Sequence, residues 1–254
     1  MRRSAEIRES SYSLSDTGRV RSHNEDSCGI IVRPSFTLMC VFDGMGGRRK
    51  GEVASSIALE SLRKIFEPVD DKTLSKTRGQ RLVREALKES NSLILKRANS
   101  TMMATGMGTT AVVALILKDA TVVAHMGDSR CYIMKKDNVT LRQVTEDQSY
   151  IQLMLNRGKL TRRQAAKDPR RNIITNALGI KEKCSLKMQV IPNDYQLLLL
   201  CSDGLYGAVS EPVIARLIRK DTTVENRVIS LINTANDLGG PDNISVCLYE
   251  RRIL

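Results

Sequence analysis

Short apolar runs separated by polar breaks dominate the chain. Strand-like runs occupy Gly29 to Val32, Phe36 to Phe42, Thr109 to Leu117, Thr121 to His125, Cys131 to Met134, Ser185 to Ile191, Tyr195 to Cys201 and Ile244 to Tyr249. That is more strand than a helical bundle holds. Between them Ala54, Ala58, Leu62 and Ile65, then Val83, Ala86, Ile94 and Ala98, and later Val224, Val228, Leu231, Ala235 and Leu238 recur at spacings near the helical period of about 3.6. Each set predicts a helix with one apolar stripe to bury. The order is strands, long helices, strands, a short-helix region, strands, helices and a last strand, which lacks the strict alternation of a doubly wound parallel sheet. An α+β layered sandwich is therefore expected. Lys135-Lys136-Asp137-Asn138 between strand-like runs predicts a hairpin turn and antiparallel pairing. With no internal repeat or Gly/Ser/Pro linker, one domain is expected over 1–254.

Charge adds a partner class. Lys and Arg total 40 against 28 Asp and Glu, a net charge of +12, which suits an anionic partner such as nucleic acid, anionic lipid or phosphorylated protein. Aromatics are 4% with no Trp, which disfavours base stacking, and no nucleic acid is expected. Apolar stretches such as Ala111 to Leu117 fall far short of the roughly 18 residues of a membrane span, so no membrane insertion is expected. The basic start, Met1-Arg2-Arg3, leads into mixed charge and not into a signal-like apolar region. The six cysteines form no CxxC pair, and several sit in apolar runs. This pattern predicts a reducing, cytoplasmic setting without a thiolate zinc site.

Candidate chemistry lies in acidic residues beside glycines at strand ends. They are Asn24-Glu25-Asp26, Asp43-Gly44-Met45-Gly46-Gly47, Gly127-Asp128-Ser129-Arg130, Ser202-Asp203-Gly204 and Gly239-Gly240-Pro241-Asp242-Asn243. One Asp-Gly after a strand is ordinarily a turn. Recurrence along the chain points instead to clustered carboxylates, which repel one another unless a hard cation such as Mg²⁺ or Mn²⁺ joins them. The Gly-rich stretch fails the phosphate-loop and dinucleotide patterns, because Gly46 to Gly51 is followed by Glu52 and Val53 and Gly44-Met45-Gly46 leads to Arg49. No GxSxG elbow is present, and His23 and His125 are the only histidines. His125, inside the strand-like Val122 to Met126, reads as a core residue. Metal-activated water is the favoured nucleophile.

Six ordered blocks resemble a known family. Arg21-Ser22-His23-Asn24-Glu25-Asp26-Ser27, Asp43-Gly44-Met45-Gly46-Gly47, Met107-Gly108-Thr109-Thr110, Gly127-Asp128-Ser129-Arg130, Ser202-Asp203-Gly204-Leu205 and Asp242-Asn243-Ile244-Ser245 are similar to the signature of the metal-dependent, type 2C serine/threonine protein phosphatases. The likeness covers about residues 11–249 and is greatest to the stand-alone bacterial branch. It implies a four-layer αββα sandwich, two mainly antiparallel sheets flanked by helices, with metals at one end of the sheet pair. By motif, Asp43 would bridge two Mn²⁺ or Mg²⁺ ions. The Gly44 carbonyl and Glu25 would complete one site, Asp203 and Asp242 would hold the other, and Asp26 would act through water. Asp128, with Asp203, would hold a weaker third ion. Arg21 would clamp phosphate, its planar fork suiting two phosphate oxygens in a way Lys cannot reproduce. Thr109 and Thr110 read as β-branched starters of a strand. The implied partners are phosphorylated proteins and an opposing serine/threonine kinase, met by a monomer.

The chain departs from that pattern where family members commonly carry histidines. Those positions are Met45, Arg48, Gln148 and Asp168 here, so no side-chain general acid is assigned. Basic residues replace them in part: Arg48-Arg49-Lys50 follows the glycine motif, and residues 157–171 hold seven cations against one Asp. The segment 148–172 is expected to form a flap beside the cleft that draws in anionic phosphoproteins. An anti-sigma-regulator phosphatase is the alternative within enzymes, disfavoured by the intact Arg21 and Asp128 blocks. A non-catalytic basic pseudophosphatase would explain the charge but not the retained carboxylates.

Overall fold

The central strands are apolar without alternation because both of their faces are covered. The computed structural model describes residues 7–46, 50–70, 72–100, 106–136, 138–165 and 167–253. In β3 (Phe36–Phe42), Phe36, Leu38, Cys40 and Phe42 pack with helical residues while Met39 and Val41 face a second sheet. The same division holds in β6 (Ala111–Leu117) and in β11 (Leu197–Cys201), whose Leu198 and Leu200 point between the sheets.

Two five-stranded sheets result. One runs in the order β1 (Ile7–Asp16), β12 (Ile244–Ile253), β11, β8 (Arg130–Met134), β9 (Arg142–Gln143). The other runs β10 (Lys187–Pro192), β7 (Ala120–Met126), β6, β3, β2 (Ser27–Arg33). Pairing is antiparallel throughout, including the short pair β4 (Gly44–Met45) and β5 (Gly108–Thr109). Helices α1 (Lys50–Phe66) and α2 (Lys76–Asn99) cover the second sheet with the predicted stripes, Ala54, Ala58 and Leu62 on one and Val83, Ala86 and Ile94 on the other. Helices α6 (Glu211–Ile218) and α7 (Val224–Asp237) cover the first sheet. The layers are therefore αββα, as the resemblance implied. Short helices α3 (Tyr150–Asn156) and α4 (Arg162–Ala165) stand between β9 and β10, and α5 (Asp203–Tyr206) follows β11.

Some expectations are corrected. Strand β1 was absent from the apolar pattern because of its serines and charges; among its described side chains Tyr12 and Leu14 pack on the core, and the strand is held by ten residue pairs with β12. The run from Thr109 to Leu117 breaks at Thr110, which leaves β5 and β6 as separate strands. Leu238, expected on the α7 stripe, is the residue that ends that helix and is 60% exposed. The hairpin at Lys135 joins β8 to β9, with the Asn138 amide donating to the Lys135 carbonyl at 3.1 Å. Gly47, Arg48, Arg49 and Asp137 lie outside the described residues.

Candidate active site

Antiparallel register gathers the acidic blocks at one end of the sandwich. Ser27 pairs with Phe42, so Asp26 and Asp43 meet where β2 begins and β3 ends. Ala111 pairs with Met126, which brings Gly127 and Asp128 to the same edge. In the other sheet Cys201 pairs with both Arg130 and Val246, and this sets Asp128, Asp203 and Asp242 around one rim. All eight residues singled out in the sequence lie on this side: Arg21, Glu25, Asp26, Asp43, Gly44, Asp128 and Asp242 in loops or short strand ends, and Asp203 as the first residue of α5.

Neighbouring polar groups fix the backbone there. The Asp43 amide donates to Thr110 Oγ1 at 3.0 Å, and its carbonyl accepts from the Thr110 amide at 2.9 Å and from Thr109 Oγ1 at 3.0 Å. The Glu25 amide donates to Asn243 Oδ1 at 2.9 Å, while Asn243 Nδ2 donates to the Thr17 and His23 carbonyls at 2.8 and 2.9 Å. Oε1 of Glu25 accepts the Gly51 amide in the first turn of α1 at 3.3 Å, where the helix favours negative charge. Gly44 is required by close approach: a Cβ there would lie 2.2 Å from the Glu25 carbonyl and 2.3 Å from that of Gly51. The Asp-Gly pair thus presses the β3 end between the Glu25 loop and α1.

The cluster raises its own proton affinity. Burial, then the carboxylates of Asp26, Asp203, Asp128 and Asp242, push Asp43 well above the usual range. Burial lifts Asp26 to about 7 against hydrogen bonds from Ser202 and Ser245, with Asp203 and Asp242 adding to the rise. Asp128 is pushed up to about 7 by burial and then by Asp203 and Asp147, and Asp203 to about 6 by burial and then by Asp242. Ser202 Oγ donates to Asp26 Oδ2 at 2.8 Å and accepts the Ser245 amide at 2.9 Å. Oδ1 of Asp128 is buried with no hydrogen-bond partner among the described residues. Mutually repelling oxygen donors with an orphaned carboxylate oxygen fit hard divalent cations. Among the described residues, no three His, Cys, Asp or Glu side chains are placed so that they could hold a metal ion between them; cations of this kind, Mg²⁺ above all, keep several waters.

Arg21 reaches over this rim. Its Nη2 donates to Asp242 Oδ2 at 2.8 Å, its side chain is 52% exposed, and Asp203 and Glu25 also act on its charge. A cleft of about 1200 Å³ opens beside the cluster and is bounded on its far side by the 148–172 segment, including Arg162 and Arg171. Arg130 anchors the wall between them: it forks onto Asp147, and its guanidinium lies 3.6 Å above the Tyr206 ring, whose hydroxyl donates to the Asp128 carbonyl at 3.0 Å.

Two of the positions that lack histidine, Gln148 and Asp168, are occupied structurally. Gln148 accepts the Gly127 amide at 3.1 Å through Oε1, and its own amide donates to the Gly127 carbonyl at 2.8 Å. Asp168 is buried and receives Nε and Nη2 of Arg170. His125 is 4% exposed, bonds the Glu146 carbonyl through Nε2 and has its proton affinity lowered by burial, which agrees with its reading as a core residue. Sequence reasoning missed Thr110, Ser202, Asn243 and Gln148 as organisers of the site. Thr110, Ser202 and Asn243 stood inside the matched blocks, which was the available signal; Gln148 did not.

A four-layer sandwich with a carboxylate cluster and a guanidinium at one end defines a class, the metal-dependent phosphatases. Residues 18–238 match the family described as protein phosphatase 2C. The serine/threonine phosphatase stp of Listeria welshimeri is 37% identical over 241 residues, 94% of this chain and 94% of that protein. Among solved structures, serine/threonine phosphatase Stp1 from Staphylococcus aureus superposes with a TM-score of 0.87 at 33% identity, covering 94% of each chain. The catalytic domain of the serine/threonine protein phosphatase PstP in complex with 2 manganese ions gives 0.80 at 29% identity, covering 97% of this chain and 99% of that one. The chain belongs to the protein phosphatase 2C family.

Proposed function

We propose that this protein hydrolyses phosphoserine and phosphothreonine on proteins, reversing a serine/threonine kinase, as a monomer in the cytoplasm. Six unpaired cysteines accord with a reducing compartment. The observation that carries the reading is the convergence of Asp26, Asp43, Asp128 and Asp203 on one rim beneath Arg21, each raised first by burial and then by neighbouring carboxylates. Asp43, the Gly44 carbonyl and Glu25 would hold one Mn²⁺ or Mg²⁺, and Asp43, Asp203 and Asp242 a second, with Asp26 acting through water and Asp128 sharing a weaker third with Asp203. When bound, such ions neutralise charge on the phosphoryl group and lower the pKa of a water toward neutrality. Arg21 offers its fork to two phosphate oxygens and thereby orients the ester. The buried polar frame of Thr110, Ser202 and Asn243 keeps the carboxylates preorganised, so little reorganisation is needed as charge develops. The cleft wall of residues 148–172 meets the polypeptide that carries the phosphate. Its basic side chains favour phosphoprotein over small esters.

Phosphate release from a phosphothreonine peptide, with and without Mn²⁺, tests this on wild type and Asp203→Ala. Turnover that needs Mn²⁺ and falls by about 10²-fold or more in the variant is expected, the scale of losing one preorganised electrostatic group. A folded wild type that binds Mn²⁺ without turnover would overturn it.

A further inference from the structure

The sandwich carries a second charged recess, at the end remote from the carboxylate rim. It lies where β8 and β12 end and β11 begins, and it is a groove of about 720 Å³ lined by six cationic and three acidic side chains. Its floor is a built ion pair. Arg227 is buried, and its Nη2 donates to Glu250 Oε2 at 2.8 Å; Arg252 Nε reaches the same oxygen at 3.0 Å. Two guanidinium groups on one carboxylate leave the floor with a positive excess. On the rim Lys136, Arg219 and Lys220 are exposed and have no carboxylate partner among the described residues, whereas Asp194 is taken by Lys135. The site reading accounts for the cations of residues 157–171 but not for these.

We infer that this groove docks an acidic segment of the phosphoprotein partner, at a distance from the phosphorylated residue. The inference rests on the proposed substrate class. Charge complementarity sets the ligand: several carboxylates in series match guanidinium and ammonium groups spread along a groove. Its concave shape suits a chain better than a flat membrane surface. The aromatic in the lining, Tyr195, is 3% exposed, so no face is offered for stacking a base. Strand β12 runs from Ile244, beside Asp242, to Arg252 in the groove. At about 3.3 Å per residue this separates groove and rim by roughly 25 Å, so an acidic stretch about eight or more extended residues from the phosphate engages both. Docking then raises the effective concentration of the phosphoresidue at the cleft without touching the chemistry.

The test combines Lys136→Glu, Arg219→Glu and Lys220→Glu in one full-length variant, all exposed changes that leave folding intact. Fluorescence anisotropy with a labelled oligo-glutamate peptide in Mg²⁺ buffer reads binding without turnover. Wild type should bind about tenfold more tightly than the variant, and added salt should shrink the gap. A phosphothreonine peptide with a distal glutamate tail should show a lower KM than one with a Gly/Ser tail, on wild type only. Turnover of p-nitrophenyl phosphate should be equal in both proteins. Equal anisotropy for the two proteins overturns the proposal, as does competitive inhibition of p-nitrophenyl phosphate turnover by oligo-glutamate, which would put the peptide in the cleft. Retention on phosphatidylglycerol vesicles without peptide binding would replace it with a lipid-facing role. If peptide binding is as expected but no phosphate ester is turned over, the groove stands and the proposed function fails.

Discussion

At the scale of single residues, the acids of the rim are held in place by polar neighbours from distant parts of the chain. Asp43, Asp203 and Asp242 stand out because carboxylates beside glycine after apolar runs are an uncommon recurrence. Thr110, Ser202 and Asn243 act on backbone or carboxylate groups 67, 176 and 218 positions away, so their place inside the matched blocks marked them without showing what they hold. Thr110 reads as a strand starter, yet it lies between β5 and β6 and caps the Asp43 amide, while its hydroxyl also meets Ser129 Oγ at 2.7 Å. Thr110→Val keeps the shape and removes both bonds. Leaving the Asp43 amide and Ser129 without this partner costs about 1–3 kcal/mol, or a Tm fall of roughly 2–10 °C for a chain of this size. Differential scanning fluorimetry should record that fall, and Mn²⁺ affinity by titration should weaken with it. Unchanged Tm and affinity would show that the hydroxyl is dispensable.

At the scale of elements, helices were read well because their stripes face one sheet, and buried strands because both faces are apolar. Strand β1 escaped because its contribution is main-chain pairing, with apolar contact from Tyr12 and Leu14 among its described side chains. The tie between α7 and β12 was equally invisible: Arg227 looked like any helical cation, but it is 1% exposed and bonds the Thr222 and Ile218 carbonyls as well as Glu250. Burial opposes the charge on Glu250, yet hydrogen bonds and charge from Arg227 and Arg252 outweigh it and hold the carboxyl below its ordinary value. A depressed folded value means stability that is complete above the unfolded pKa of about 4.3 and is lost as pH falls through the folded one. Glu250→Gln should cost about 3–5 kcal/mol at neutral pH, because a buried cation loses its counter-charge. The same variant should flatten the acid limb of a Tm-against-pH curve. A parallel limb in the two proteins would remove Glu250 as its source.

At the scale of the whole molecule, a chain of net charge +12 gathers Asp26, Asp43, Asp128, Asp203 and Asp242 at one end of the sandwich. The resemblance implied that end, and antiparallel register explains it, since strand starts and finishes from both sheets meet there. What the sequence concealed was the cost of the arrangement without cations. Asp26 and Asp128 near 7 and Asp203 near 6 lie above the ordinary carboxyl value, burial being the largest cause in each. Raised folded values give the opposite sign to Glu250: their contribution is complete below about pH 4, the unfolded value, and is lost as pH rises through 6 to 7. Metal-free protein should therefore lose Tm between pH 5 and pH 8. At the proposed sites Mn²⁺ would bind the folded carboxylates in competition with protons and should reverse that trend, so the Tm gap between Mn²⁺ and EDTA samples should widen with pH. Thermal melts at several pH values, repeated on Asp203→Asn, read this without any activity assay. The variant should narrow the gap at pH 8, and a gap independent of pH in wild type would separate the cations from these carboxylates.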